Sequence, residues 1–172
     1  MIRSFIQLCS LTAMAILFAL PAFAQHEFRE IKLTDKTIQN YIKADPDLND
    51  VLEKINGAGD KPDTRLIAEL ESVALKHGFK SFEELDEVAQ TVSFIMTGFD
   101  PETGDFIEPR KALLEELNAL KEDNSIPENE RSELVKELEE AVRTAPDVIF
   151  KSNITLVRKH LSELIKLDEQ IN

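Results

Sequence analysis

The sequence predicts an all-α protein, an irregular antiparallel bundle of six or seven helices with no sheet. Three observations carry that expectation. Apolar residues recur at three- and four-residue spacings through almost the whole chain after Leu33, the mark of helices with one buried face. Capping residues, prolines and glycines fall between those stripes, where helices start and stop. The single strand-like run, Val148-Ile149-Phe150, is too short to build a sheet.

The chain opens with the features of a leader. Arg3 supplies a charged start, an apolar stretch runs from Leu8 to Leu20, and Pro21-Ala22-Phe23-Ala24 ends in the small-x-small pattern read by signal peptidase. Residues 1–24 are therefore expected to be a signal peptide cleaved after Ala24, because the apolar run falls short of the ~20 residues that span a bilayer. Cys9 leaves with the leader, so the mature chain has no disulfide, thiolate metal site or cysteine nucleophile. Residues 25–32 are expected to be a flexible mature N-terminus and residues 33–172 a single helical domain.

Helix by helix, Thr34 caps a first segment in which Leu33 staples onto Ile38, and Ile38, Tyr41 and Ile42 share a face. Asp45-Pro46 is expected to restart the chain as a second helix, with Leu48, Val51, Leu52 and Ile55 facing inward until Gly57 and Gly59. Asp63 caps a stripe of Leu66, Ile67, Leu70, Val73 and Ala74 that closes at His77-Gly78. Ser81-Phe82-Glu83-Glu84 is a capping-box pattern, and the helix that follows it, through Leu85, Val88, Val92, Ile95 and Met96, is the most apolar. That helix is expected at the centre of the fold.

Two prolines and a Thr-Gly turn make residues 100–109 a loop. Two helices then form a hairpin with acidic outer faces, one burying Leu113, Leu114, Leu117 and Leu120, the other Leu134, Val135, Leu138, Ala141 and Val142. The last helix starts near Ser152-Asn153 and carries Ile154, Val157, Leu161, Leu164, Ile165 and Ile171 on one face.

Charge narrows the function. After Ala24 there are 19 basic and 33 acidic residues, a formal charge of −14, which repels phosphate backbones and anionic lipid. Nucleic-acid partners and stable membrane insertion after cleavage are not expected. The most distinctive segment, from Phe99 to Pro109, gathers Asp100, Glu102, Asp105 and Glu108 beside Phe99, Phe106 and Ile107. An EF-hand starting at Asp100 is excluded because its twelfth position is Lys111, which leaves those four carboxylates as a loose cation loop or, by default, a packed turn.

His26, His77 and His160 share no metal-binding spacing on a helical face, and a dipole role at a helix C-terminus suffices for His77. Carboxylate pairs such as Glu83-Glu84, Glu115-Glu116 and Glu139-Glu140 sit on outer faces near Lys or Arg, which fits solubility better than glycosidase chemistry. Asn153-Ile154-Thr155 matches a glycosylation sequon and equally a helix cap. No cofactor and no catalytic residue is expected.

Lys76-His77-Gly78-Phe79-Lys80-Ser81-Phe82-Glu83-Glu84-Leu85, Gly98-Phe99-Asp100-Pro101 and Ser125-Ile126-Pro127-Glu128 resemble segments of small exported all-helical proteins of Gram-negative bacteria with no established function. The resemblance implies a periplasmic or secreted setting and no particular activity. The leading expectation is a non-catalytic periplasmic protein that binds a polypeptide or envelope component near Phe99, Phe106, Ile107 and Phe150. The alternative is a small-ligand or cation carrier with a pocket between helices. Third stands an exported hydrolase, which would need His77 or His160 to meet two carboxylates in a cleft. Monomer and oligomer are equally compatible with these stripes.

Overall fold

The computed structural model describes residues 28–57, 64–100 and 103–171. The leader with Ala24, the cap expected at Asp63 and the loop residue Glu102 lie outside these. Six helices follow in order: α1 (Asp35–Gly57), α2 (Thr64–Lys76), α3 (Phe82–Met96), α4 (Pro109–Glu122), α5 (Glu128–Thr144) and α6 (Lys151–Ile171). The described residues form no strand; an isolated bridge joins Phe99 to Phe106.

Helix α1 begins where Thr34 and Thr37 cap each other. Thr37 N donates to Thr34 Oγ1 at 3.1 Å while Thr34 N donates to Thr37 Oγ1 at 2.9 Å. Leu33 and Ile38 are both buried, as a hydrophobic staple requires. The restart expected at Pro46 does not occur, and α1 runs through it for 23 residues. Proline removes one helical hydrogen bond, but buried Ala44, Asp45 and Leu48 flank it and hold the backbone against the core. The buried Asp45 carboxylate accepts from Asn49 Nδ2 at 2.9 Å and from the Tyr41 hydroxyl. Continuity of α1 is the reason the count is six.

Helix α2 ends in a Schellman motif. Phe79 N donates to Ala74 O at 3.0 Å, Gly78 N donates to Leu75 O at 3.1 Å, and Gly78 takes φ +84°. Ser81 Oγ then accepts from Glu84 N at 3.2 Å to cap α3. The Glu84 carboxylate reaches Lys80 N, at 2.6 Å, which shifts the expected capping box by one residue.

Helix α3 is the centre of the fold. Leu85, Val88, Thr91, Val92 and Ile95 are essentially fully buried, and α3 packs against α1, α2 and α6. Each such aliphatic side chain contributes about 1.5–3 kcal/mol by leaving water. Ile38, Leu70 and Val157 complete the same core from the three surrounding helices. Helices α1 and α2 run antiparallel, with Lys54 meeting Glu69 and Asp47 meeting His77. By contrast α1 and α6 share a direction: Asp35 meets His160, and further along both helices the Asp45 and Asp168 carboxylates repel each other.

Helices α4 and α5 stand apart. They pack on each other and on none of the other four helices. Leu117 is buried in their seam, α5 has no buried residue, and Leu114 and Leu134 are 41 % and 38 % exposed. Both had been expected to be buried; two helices alone cannot cover their stripes.

Of the flexible tail expected over residues 25–32, residues 25–27 lie outside the described residues. Residues 28–33 lie on the core as a strap. Phe28 stacks on Phe94 with ring centroids 4.9 Å apart, and Ile31 N donates to Thr91 Oγ1 at 3.2 Å. The buried Glu30 carboxylate accepts from Ile149 N at 2.5 Å, Phe150 N at 3.2 Å and Asn153 Nδ2 at 2.9 Å. Asn153 in turn accepts from Leu33 N at 3.0 Å and donates to Ile31 O at 2.8 Å. Asn153 is thus a fully buried bridge two residues inside α6, neither the expected cap nor a site a glycan can reach in the folded chain.

Candidate functional site

The loop from Phe99 to Pro109 is pinned by its own apolar residues. Asp100 N donates to Asp105 O at 2.9 Å, Ile107 N donates to Gly98 O at 2.8 Å, and Gly104 turns the chain at φ +70°. The Phe99 and Phe106 rings meet edge to face at 5.0 Å. Arg158 of α6 lies 5.0 Å over Phe99 and donates from Nη1 to Gly104 O at 2.8 Å. Gly98 is required here: a Cβ would fall 2.4 Å from Phe106 Cε2 and 2.6 Å from Ile107 O.

This geometry changes the site expected from the sequence. Phe99 is only 9 % exposed and faces inward, while Phe106 and Phe150 are half-buried. Of the four partner-binding candidates, Ile107 alone is open, at 40 %. The three described carboxylates are not gathered either. Asp100 Oδ1 accepts from Thr103 N at 2.7 Å, Glu108 pairs with Lys151, and Asp105 is exposed. Among the described residues no three His, Cys, Asp or Glu side chains come together as a metal centre.

Among the described residues the open large apolar side chains fall in two places, Ile67 and Leu75 on α2 and four others on or at the root of the α4–α5 hairpin. Leu114 and Leu134 are on the hairpin, and Ile107 and Ile149 sit at its root, with Ile149 69 % exposed. That root is fixed. Arg110 pairs with Asp147 at 3.0 Å and donates to Ala145 O, Glu108 holds Lys151, and buried Val148 anchors the returning strand of chain to the core. Across the hairpin Lys121 pairs with Glu139 at 2.8 Å. The sequence could not reveal the surface, since a stripe facing a core and a stripe left open have the same spacing.

The histidines form a second arrangement. Two Lys-His dipeptides each clasp an aspartate of α1. Lys76 Nζ and His77 Nε2 both lie 2.6 Å from Asp47 Oδ2. Lys159 Nζ and His160 Nε2 lie 2.6 and 2.8 Å from Asp35 Oδ1. Hydrogen bonds from the lysine first and the histidine second hold both aspartates below the usual carboxylate range. Asp45 goes the other way, because burial raises its carboxyl.

His160 borders a pocket of about 310 Å³ between α1 and α6, with Gln39, Ile42, Lys43 and Glu163. Its imidazole is 7 % exposed, and its Nδ1 is buried without a hydrogen-bond partner, 3.9 Å from Glu163 Oε1. His160 thus meets two carboxylates, Asp35 at 2.8 Å and Glu163 at 3.9 Å.

No protein-family model, curated protein or solved structure matches this chain. Among the described residues no helix is long and apolar enough to cross a membrane.

Proposed function

We propose that this chain is a non-catalytic binding protein of the periplasm or cell exterior that engages a polypeptide bearing apolar and basic residues through the α4–α5 hairpin. One observation carries the reading: the hairpin packs on no other helix and leaves Leu114 and Leu134 open, with Ile107 and Ile149 at its root. A helical pair that covers its apolar stripes against no other helix leaves them available to a partner. The leader-like residues before Gln25 support the compartment.

Charge selects the partner. From Pro109 to Thr144 the hairpin has ten acidic and six basic side chains, a net formal charge of −4. A second copy would bring the same excess and be repelled, whereas a segment with lysines or arginines beside its apolar residues is attracted.

The test uses a labelled synthetic helix with a leucine face and a lysine face, and a matched one in which glutamate replaces lysine. The lysine peptide binds, the glutamate peptide does not, and the Leu114→Ser, Leu134→Ser double variant weakens binding by about tenfold or more. Equal binding of both peptides, or full binding by the double variant, overturns the reading. Concentration-dependent self-association that the double variant abolishes would replace it with a hairpin-mediated dimer.

A further inference from the structure

We propose that His160 Nδ1 and Glu163 form a binding site for a divalent transition-metal ion, with Asp35 fixing the imidazole from behind. The site is independent of the hairpin. Asp35 Oδ1 lies 2.8 Å from His160 Nε2, where a carboxylate can only accept the ring proton, and Lys159 Nζ lies 2.6 Å from the same oxygen. In the neutral ring that bond selects the tautomer in which Nδ1 carries the lone pair. A carboxylate behind one ring nitrogen and a ligand before the other is the arrangement that orients metal-binding histidines.

Three further observations point Nδ1 at a ligand. It is buried with no partner, which costs free energy unless something takes the lone pair. Glu163, one turn further along α6, brings a carboxylate oxygen to 3.9 Å. Nitrogen and oxygen ligands about 2.1 Å from a tetrahedral zinc stand about 3.4 Å apart, so a small rotation of the exposed Glu163 side chain closes the gap. Finally, both residues line the pocket, which leaves room for water in the remaining coordination positions.

Gln39 offers a third ligand, its amide oxygen. Its Nε2 donates to Asp35 Oδ2 at 2.9 Å, leaving the amide oxygen as its acceptor at the pocket lined by His160 and Glu163. Lys43 also lines the pocket, but it is exposed and its long stem carries the ammonium into water. Imidazole with carboxylate selects zinc, copper or nickel over calcium or magnesium.

The His77 clasp supplies an internal control. It repeats the Lys-His-Asp arrangement, yet it does not line this pocket and has no glutamate at the position equivalent to Glu163, which is Lys80.

The experiment titrates zinc(II) into the chain from Gln25 onwards, which holds every described residue, with His26→Ala to remove chelation at the N-terminus. Long-range nitrogen NMR of the imidazoles is the readout. Before zinc, His160 shows the Nε2-protonated pattern; on addition its Nδ1 resonance moves and that of His77 does not. Glu163→Gln, an exposed change that spares the core, weakens zinc binding by about tenfold or more, and Asp35→Asn weakens it by about 10- to 100-fold. A His160 ring unmoved at millimolar zinc, or a Glu163→Gln variant that binds zinc as tightly as the parent, overturns the site.

Discussion

Glu30 and Asn153 share a 2.9 Å hydrogen bond across 123 residues of chain. With the two backbone amides that Glu30 also receives, the pair joins the start of the described chain to the head of its last helix. Glu30→Ala leaves three donors without their acceptor, two on the backbone and one on a buried side chain. We expect a loss of about 2–4 kcal/mol, measured as a lower urea midpoint with unchanged slope. An unchanged midpoint would show that the strap contributes nothing.

Gly98→Ala should be destabilising by about 1–3 kcal/mol, because its Cβ collides with both the Phe106 ring and the Ile107 carbonyl. Gly104→Ala meets no atom but is strained by φ +70° and should cost about 1 kcal/mol. Thermal melts of the two variants separate collision from backbone strain; a Gly104 variant that loses more than the Gly98 variant contradicts this ranking.

Replacing residues 111–144 with a short Gly-Ser turn should leave the four-helix core folded. Arg110 and Ala145 already touch, so the ends need little bridging, and α4 and α5 contribute no packing to the other helices. The core's free energy of unfolding should change by no more than about 1 kcal/mol, while helical ellipticity falls in line with loss of all of α5 and of α4 from Lys111 onwards. Loss of cooperative unfolding in the truncated chain would mean that the hairpin supports the core.

Acid should weaken the fold through Asp35 and Asp47. Both are depressed below the ordinary aspartate value when folded, so their contribution is complete above that value and is lost as pH falls through the folded values. Asp45 has the opposite sign: its raised carboxyl favours the fold while protonated, and that contribution disappears as pH rises through its folded value. Melting temperatures between about pH 5 and pH 2 should fall less steeply in the Asp35→Asn, Asp47→Asn double variant than in the parent. Identical slopes would remove both clasps from the acid response.

Local sequence signals located the helices because they are local in origin. Thr34, Ser81 and Gly78 cap or end helices through atoms within a few residues, and the stripe of α3 is so complete that its central position follows. Pro46 misled because the local loss of one hydrogen bond was outweighed by the burial of Ala44 and Leu48, which depends on distant helices. The stripe of Leu113, Leu114, Leu117 and Leu120 has the same spacing as a core stripe, so nothing near it says that its neighbours are missing. Glu30 with Asn153 and Asp35 with His160 are pairings between the two ends of the chain. No spacing rule reaches that far.

The strap also orders events in time. A chain made from its N-terminus presents Glu30 long before Asn153 exists, and closing a loop of that length has an entropic cost that only the finished core can offset. Until α6 arrives, the buried carboxylate has no amides to receive and α3 lacks one of its walls. A nascent copy therefore cannot reach the final cross-braced state. Completion of the polypeptide, with its last helix free to dock, is the step that commits the molecule to its native form.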